Sequence, residues 1–197
     1  MTGLRERKKV RTRRALIEAA LRLFTEKGYE ETTLAEIAAA ADVSTRTFFS
    51  YFGSKEDVIF HDGGIRLEAI LGMVGRRRPG ESIGDLLLRV SEASLNWTTE
   101  EDLALDLSLE RVDLIMSVPA LQAKALHLLF DSQLRLAKAL HEAYQDEIDL
   151  LEAATIVGSL VGAAKLTVMA AMDRGDSLEE VWKAARTAAT STISRLT

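Results

Sequence analysis

An all-α fold of about nine helices follows from three features of the sequence. Proline occurs twice in 197 residues. Helix-favouring Ala, Leu, Glu and Arg dominate, and apolar residues recur three and four positions apart along most of the chain. With 47% hydrophobic residues the chain can bury a sizeable core.

The elements follow in order. Leu16, Ala20, Leu23 and Phe24 recur at helical spacing and predict a first helix over about 9–27, closed by Gly28 as a C-cap. Thr33 followed by Glu36 has the spacing of a capping box, in which the hydroxyl accepts an N–H of the first turn and the carboxylate reaches back; it opens a second helix, "LAEIAAAAD". Ser44 caps a third helix of about seven residues. Ser54, with Asp57 three positions on, caps a fourth that runs to the arginines at 76–78, before Pro79 and Gly80. Longer helices are predicted at about 82–97, 100–116, 119–144, 148–174 and 177–195, the last opened by a Ser177–Glu180 capping box. Residues 102–110, "DLALDLSLE", alternate with the period of a strand, but a lone strand has no pairing partner in a helical chain, so they are assigned to a helix. The apolar stretch 150–172 carries Glu152 and Lys165 with only twelve residues between them, fewer than the roughly 20 a bilayer needs. A buried helix is predicted there, with no membrane association.

Charge and composition narrow the function. Residues 1–55 hold 11 Lys and Arg against 7 Asp and Glu, a balance of +4, and residues 56–197 hold 14 against 23, a balance of −9; the two sum to the net −5. Seven of the cations lie in "MTGLRERKKVRTRR", the arrangement of an arm that neutralises phosphates. No cysteine is present, so disulfides, thiolate zinc sites and cysteine nucleophiles are excluded, and a cytoplasmic protein is expected. The three histidines, His61, His127 and His141, form no metal-ligand pattern, and no glycine-rich phosphate loop or nucleophile–base set stands out. Neither an enzyme nor a bound cofactor is expected.

The second helix, the turn "ADVS" and the third helix make a helix-turn-helix. Ile37, Ala38, Val43, Phe48 and Phe52 supply its small core. Thr45, Arg46, Phe49 and Ser50 then project outward, with Thr47 and Tyr51 at the flank. Such a face suits the major groove, where arginine bonds guanine O6 and N7 and threonine or phenylalanine touches thymine methyls. Lys55, Tyr51 and Thr33 are placed to hold phosphates and set the register.

The framework "F...KGY..TT...IA..A.VS..TFF.YF.SKE" within residues 15–59 resembles the N-terminal domain of the TetR family of transcriptional regulators. The resemblance implies that Thr45, Arg46, Thr47, Phe49 and Ser50 occupy recognition-helix positions and that Thr33, Tyr51 and Lys55 contact phosphates; Ser44, at the head of the recognition helix, completes the DNA-contacting set. Many members have glycine where this chain has Asp42, and aspartate tolerates the left-handed backbone of that turn better than most residues.

The resemblance further implies a DNA-binding domain with its basic arm over 1–55 and a ligand-binding and dimerisation domain over 56–197, a repressor that binds a palindromic double-stranded operator. The last two helices would form the homodimer interface, for which the small Ala154, Gly158, Gly162, Ala184, Ala185, Ala188 and Ala189 suit close approach. Two recognition helices roughly 34–36 Å apart reach successive major grooves. "RVDLIMSVPALQAKAL" is similar to TetR members whose ligand domain is described as acyl-CoA-like, so a small hydrophobic or acyl-type effector is expected. Its candidate contacts are Trp97, Met116, Phe130, Leu134 and Met169, with Lys165 facing an acidic group. Gly63 and Gly64 fall inside the predicted fourth helix, where each costs about 1 kcal/mol relative to alanine, and mark a bend through which the effector acts. The competing reading is a helical protein-interaction module whose basic arm meets an acidic partner.

Overall fold

The computed structural model describes residues 3–96 and 109–196, and all the regular structure among them is helical. Ten helices are present among the described residues: α1 (Leu4–Lys27), α2 (Leu34–Ala40), α3 (Thr45–Phe49), α4 (Lys55–Ile59), α5 (Gly63–Val74), α6 (Ile83–Asn96), α7 (Leu109–Ser117), α8 (Pro119–Ala143), α9 (Leu150–Asp173) and α10 (Leu178–Leu196). The period-two stretch at 102–108 and Trp97 lie outside the described residues.

The chain divides into two compact units, Met1–Gly63 with Glu100–His127, and Gly64–Thr99 with Leu128–Thr197. This is not the 55/56 division expected from the sequence. The core of the first unit holds Leu16, Phe24, Ile37, Phe48 and Phe52, but also Val58 and Ile59 of α4 and the fully buried Leu121 of α8, with Leu114, Ile115 and Val118 packed against it. Lys124 pairs with Asp57, and the buried Arg111 guanidinium pairs with Asp62 at 3.0 Å. Helices well beyond position 55 therefore complete the first unit.

Two predicted elements change. The basic segment is helical: α1 begins at Leu4, ahead of the predicted start near residue 9, and Gly3 supplies no side-chain cap. The predicted fourth helix is two helices. Phe60 ends α4 with φ −101° and ψ 28°, and α5 begins at Gly63, so the break lies at Phe60–Asp62, just before the two glycines rather than at them.

The second unit is built on Val74, Leu86, Ala137, Leu140, Tyr144, Ala153 and Val157. The buried Tyr144 hydroxyl donates to the carbonyls of Glu81 and Ser82, both at 3.0 Å, and the Arg77 guanidinium lies 3.8 Å from its ring centroid. These contacts tie the turn after α5 to the end of α8. The α10 helix buries Val181, Ala185, Ala189 and Ile193, spaced every four residues, and packs on α9 and α6. Its start carries the predicted Ser177–Glu180 capping box, with the Ser177 N–H donating to the Glu180 carboxylate at 2.8 Å.

The predicted burial of 150–172 is not met within the chain. A capping box between Asp149 and Glu152 opens α9, which is long and apolar enough by length and composition to cross a membrane. Only Ala153, Val157 and Ala171 are buried along it, while Leu151, Leu166 and Met169 are 77%, 66% and 43% exposed.

Candidate nucleic-acid interface

The candidate base-reading face is assembled from short helices, each held by its own caps. At the head of α2 the Thr33 hydroxyl accepts from the Glu36 N–H at 3.3 Å, and the Thr33 N–H donates to the Glu36 carboxylate at 2.9 Å. Lys27 bonds the same carboxylate; that bond, followed by the Thr33 N–H, holds the Glu36 pKa down to about 2. The turn to α3 passes through Asp42 at φ 55°, the left-handed residue expected in place of glycine. It closes with the Val43 N–H on the Ala38 carbonyl at 2.9 Å. Ser44 then caps α3, accepting the Thr47 N–H at 3.1 Å. The helix itself is five residues long, shorter than predicted, and a further turn follows in which the Phe52 N–H reaches the Phe48 carbonyl at 3.0 Å.

Phe48 and Phe52 are buried with ring centroids 5.7 Å apart, so the opposite side of α3 is free. Ser44, Thr45, Arg46, Phe49 and Ser50 are exposed, and Thr47 and Tyr51 are half-buried at its edges. Phe49 keeps 54% of its surface exposed, standing edge-on to Phe48. A large aromatic ring held outward near an arginine without a partner among the described residues suits contact with base edges rather than a core. Three of the hydroxyls are already engaged: Thr47 shares a 2.8 Å hydrogen bond with Ser44, and Ser50 donates to the Thr47 carbonyl at 2.6 Å. They stiffen the helix as well as lining its face.

Thr33 is exposed at the head of α2, as a phosphate contact requires. Lys55 is differently occupied. Its ammonium donates to the carbonyl of Tyr29 at 2.7 Å, approaches those of Glu30 and Thr32 at 3.4 and 3.5 Å, and lies 4.1 Å from the Tyr29 ring centroid. Lys55 thus gathers the connection between α1 and α2. Tyr29 in turn donates to Glu56 at 2.5 Å; burial first, and then that bond, push its phenol pKa up.

One contributor was concealed in the basic segment. The Arg13 guanidinium donates to the His61 carbonyl and lies 5.5 Å from the Phe52 ring centroid, linking α1 to the residues that end the recognition element and α4. Charge clustering alone grouped it with the phosphate-seeking cations; its spacing three residues before the buried Leu16 was the available signal.

The candidate effector contacts are dispersed. Met116 belongs to the first unit and is 49% exposed; Phe130 and Leu134, one turn apart on α8, are 64% and 51% exposed in the second. Lys165 is exposed along α9 and has no charged partner among the described residues, and partial loss of water around its ammonium lowers its pKa. Two open clefts in the second unit, of about 530 and 560 Å³, are lined by other residues, including Arg174, Glu180 and Lys183 in one and Ser82, Asp149 and Thr155 in the other. No group of three or more metal-ligating side chains occurs among the described residues.

Residues 16–61 match the family profile described as "Bacterial regulatory proteins, tetR family". The chain is 36% identical over 153 residues to the HTH-type transcriptional regulator TcmR of Streptomyces glaucescens, covering 75% of this chain and 66% of that one, just under two thirds of the relative's length. It is 48% identical over 48 residues to the HTH-type transcriptional regulator HbdR of Aromatoleum sp. (strain CIB), covering 24% and 21% of the two chains. In fold it is similar to a crystal structure described as a TetR-family transcriptional regulator from Mesorhizobium loti, with a TM-score of 0.59 at 18% identity over 95% of both chains.

Proposed function

Because the chain belongs to the TetR family of bacterial regulatory proteins, we propose that it is a sequence-specific transcriptional regulator that reads a near-palindromic operator in double-stranded DNA. The outward face of α3 carries this reading. Thr45, Arg46, Phe49 and Ser50 stand exposed over a recognition helix fixed from behind by the buried Phe48 and Phe52. Thr33 and the flanking Tyr51 set the register on phosphates, and Lys55 acts by shaping the turn that presents Thr33. Such a protein acts in the cytoplasm, beside the chromosome, and its activity includes no catalytic step.

The homodimer and the effector belong to the same proposal. The exposed Leu151 and Leu166 leave α9 an apolar surface that a second copy would cover, and a Cβ added at Gly162 would meet nothing within 4 Å, leaving room for a neighbouring helix. Repression is relieved by a small apolar or acyl-type effector, with Phe130, Leu134, Met169 and Lys165 as contacts and no cofactor. Coupling of the usual 1–3 kcal/mol would weaken DNA binding about 5- to 150-fold.

The test is selection of binding sites from random duplex DNA by the purified protein beside an Arg46→Ala variant. An enriched palindrome, relaxed at one symmetric position in the variant by about 1–3 kcal/mol, is expected. Enrichment of no sequence by the wild type would favour the protein-interaction module instead.

A further inference from the structure

Gly53 joins the turn after the recognition helix to α4, and its backbone does not explain its lack of a side chain. Its φ lies outside the left-handed region that favours glycine. The surroundings explain it. A Cβ added at Gly53 would fall 2.9 Å from Oδ2 of Asp57, closer than a real Cβ comes to another atom. The Asp57 carboxylate therefore lies against the backbone that leaves Phe52.

Asp57 is held at both ends. Its N–H donates to the Ser54 hydroxyl at 3.2 Å, which fixes the head of α4, and Lys124 of α8 donates to its Oδ1. The charge of Lys124 also acts on the neighbouring Glu56, which accepts from the Tyr29 hydroxyl at 2.5 Å. Tyr29 belongs to the connection whose carbonyls Lys55 gathers ahead of Thr33. One ammonium from outside the matched residues 16–61 thus stands behind both flanks of the reading face, the exit of the recognition helix and the entry to α2. It is poorly placed to take a phosphate itself. Its side chain is 32% exposed, and a phosphate would have to displace the carboxylate it already bonds.

Resting on the reading of this chain as a DNA-binding regulator, we propose that Lys124 is a positioning residue for DNA reading. By holding Asp57 against Gly53 it sets the angle at which Thr45, Arg46 and Phe49 meet the bases. Discrimination between sequences then depends on a side chain from α8.

The experiment compares the full-length wild type with Lys124→Gln, Asp57→Asn, their double variant and Lys124→Arg, on the operator that wild type enriches and on a mixed-sequence duplex. Lys124→Gln and Asp57→Asn should each weaken operator binding roughly tenfold, the double variant should lose no more than either alone, and Lys124→Arg should retain the wild-type affinity. On the mixed-sequence duplex, Lys124→Gln should keep the wild-type slope of log affinity against log salt, whereas loss of a phosphate contact would lower it by about 0.9. In the free protein, amides at 50–57 should exchange faster in both single variants than in wild type. Tighter operator binding by Asp57→Asn, which loss of a negative charge alone predicts, would overturn the proposal. So would additive losses in the double variant, a reduced slope in Lys124→Gln, or unaltered exchange at 50–57. If wild type enriches no operator, the regulator reading fails by itself, and exchange at 50–57 still decides whether Lys124 holds the recognition element in place.

Discussion

Leu121→Ala tests whether the start of α8 belongs to the first unit. Leu121 has no solvent exposure and shares a core with Leu16, Phe48 and Ile59. Truncating a fully buried leucine costs about 2–5 kcal/mol, depending on how far the site collapses. Leu114, Ile115 and Val118, from the adjoining turns, are only partly buried and can shift towards the gap, so about 3 kcal/mol is expected. The assay is native-state hydrogen exchange of the amides at 34–52, with Leu126→Ala, five residues on along α8 and 54% exposed, as control. At tenfold per 1.4 kcal/mol, exchange through global opening of this unit should accelerate roughly 100- to 200-fold in Leu121→Ala and stay near wild type in Leu126→Ala. Equal exchange in the two variants would refute the assignment of α8 to this core.

Two further outcomes follow from local geometry. Glu36 titrates near 2 when folded against an ordinary value of 4.5, so its contribution to stability is complete above about 4.5 and is lost as the pH falls through its folded value; acid titration of Glu36→Gln should show a shallower loss of stability across that window than wild type. Gly63→Ala with Gly64→Ala should raise the melting temperature, because neither Cβ meets an atom within 4 Å, neither glycine has a positive φ, and alanine is the better helix former by about 1 kcal/mol each. A destabilised double variant would mean that the α4–α5 break depends on the glycines themselves.

The legible parts of the fold were those written in adjacent residues. The capping boxes at Thr33 and Ser177, the Ser44 and Ser54 caps, and Asp42 at positive φ each involve side chains no more than three positions from the backbone they bond or bend. The exposed face of α3 was legible for the same reason, since Phe48 and Phe52 lie one turn apart and fix which side is buried. Contacts between distant segments carried no such signal. Nothing near Leu121 distinguishes it from the exposed Leu126, and nothing near Lys55 announces that its ammonium will turn to the carbonyls of Tyr29 and Thr32. The α4–α5 break was misplaced by a few residues because glycine is the stronger breaker on paper, while Phe60 ends the helix in the fold. The apolar run of α9 was read as core because composition does not say how much of an apolar helix the rest of the chain covers.

The interleaving of the first unit also sets an order of events during synthesis. A nascent chain that has emerged only as far as Gly63 carries every residue of the recognition helix, yet the side of its core that Leu121 closes is still open. The reading head therefore matures only after α8 has begun to leave the ribosome, by which time all of α5 and α6 has already been translated. A recognition element transplanted between proteins must accordingly take residues 109–127 along with it if its core is to be closed.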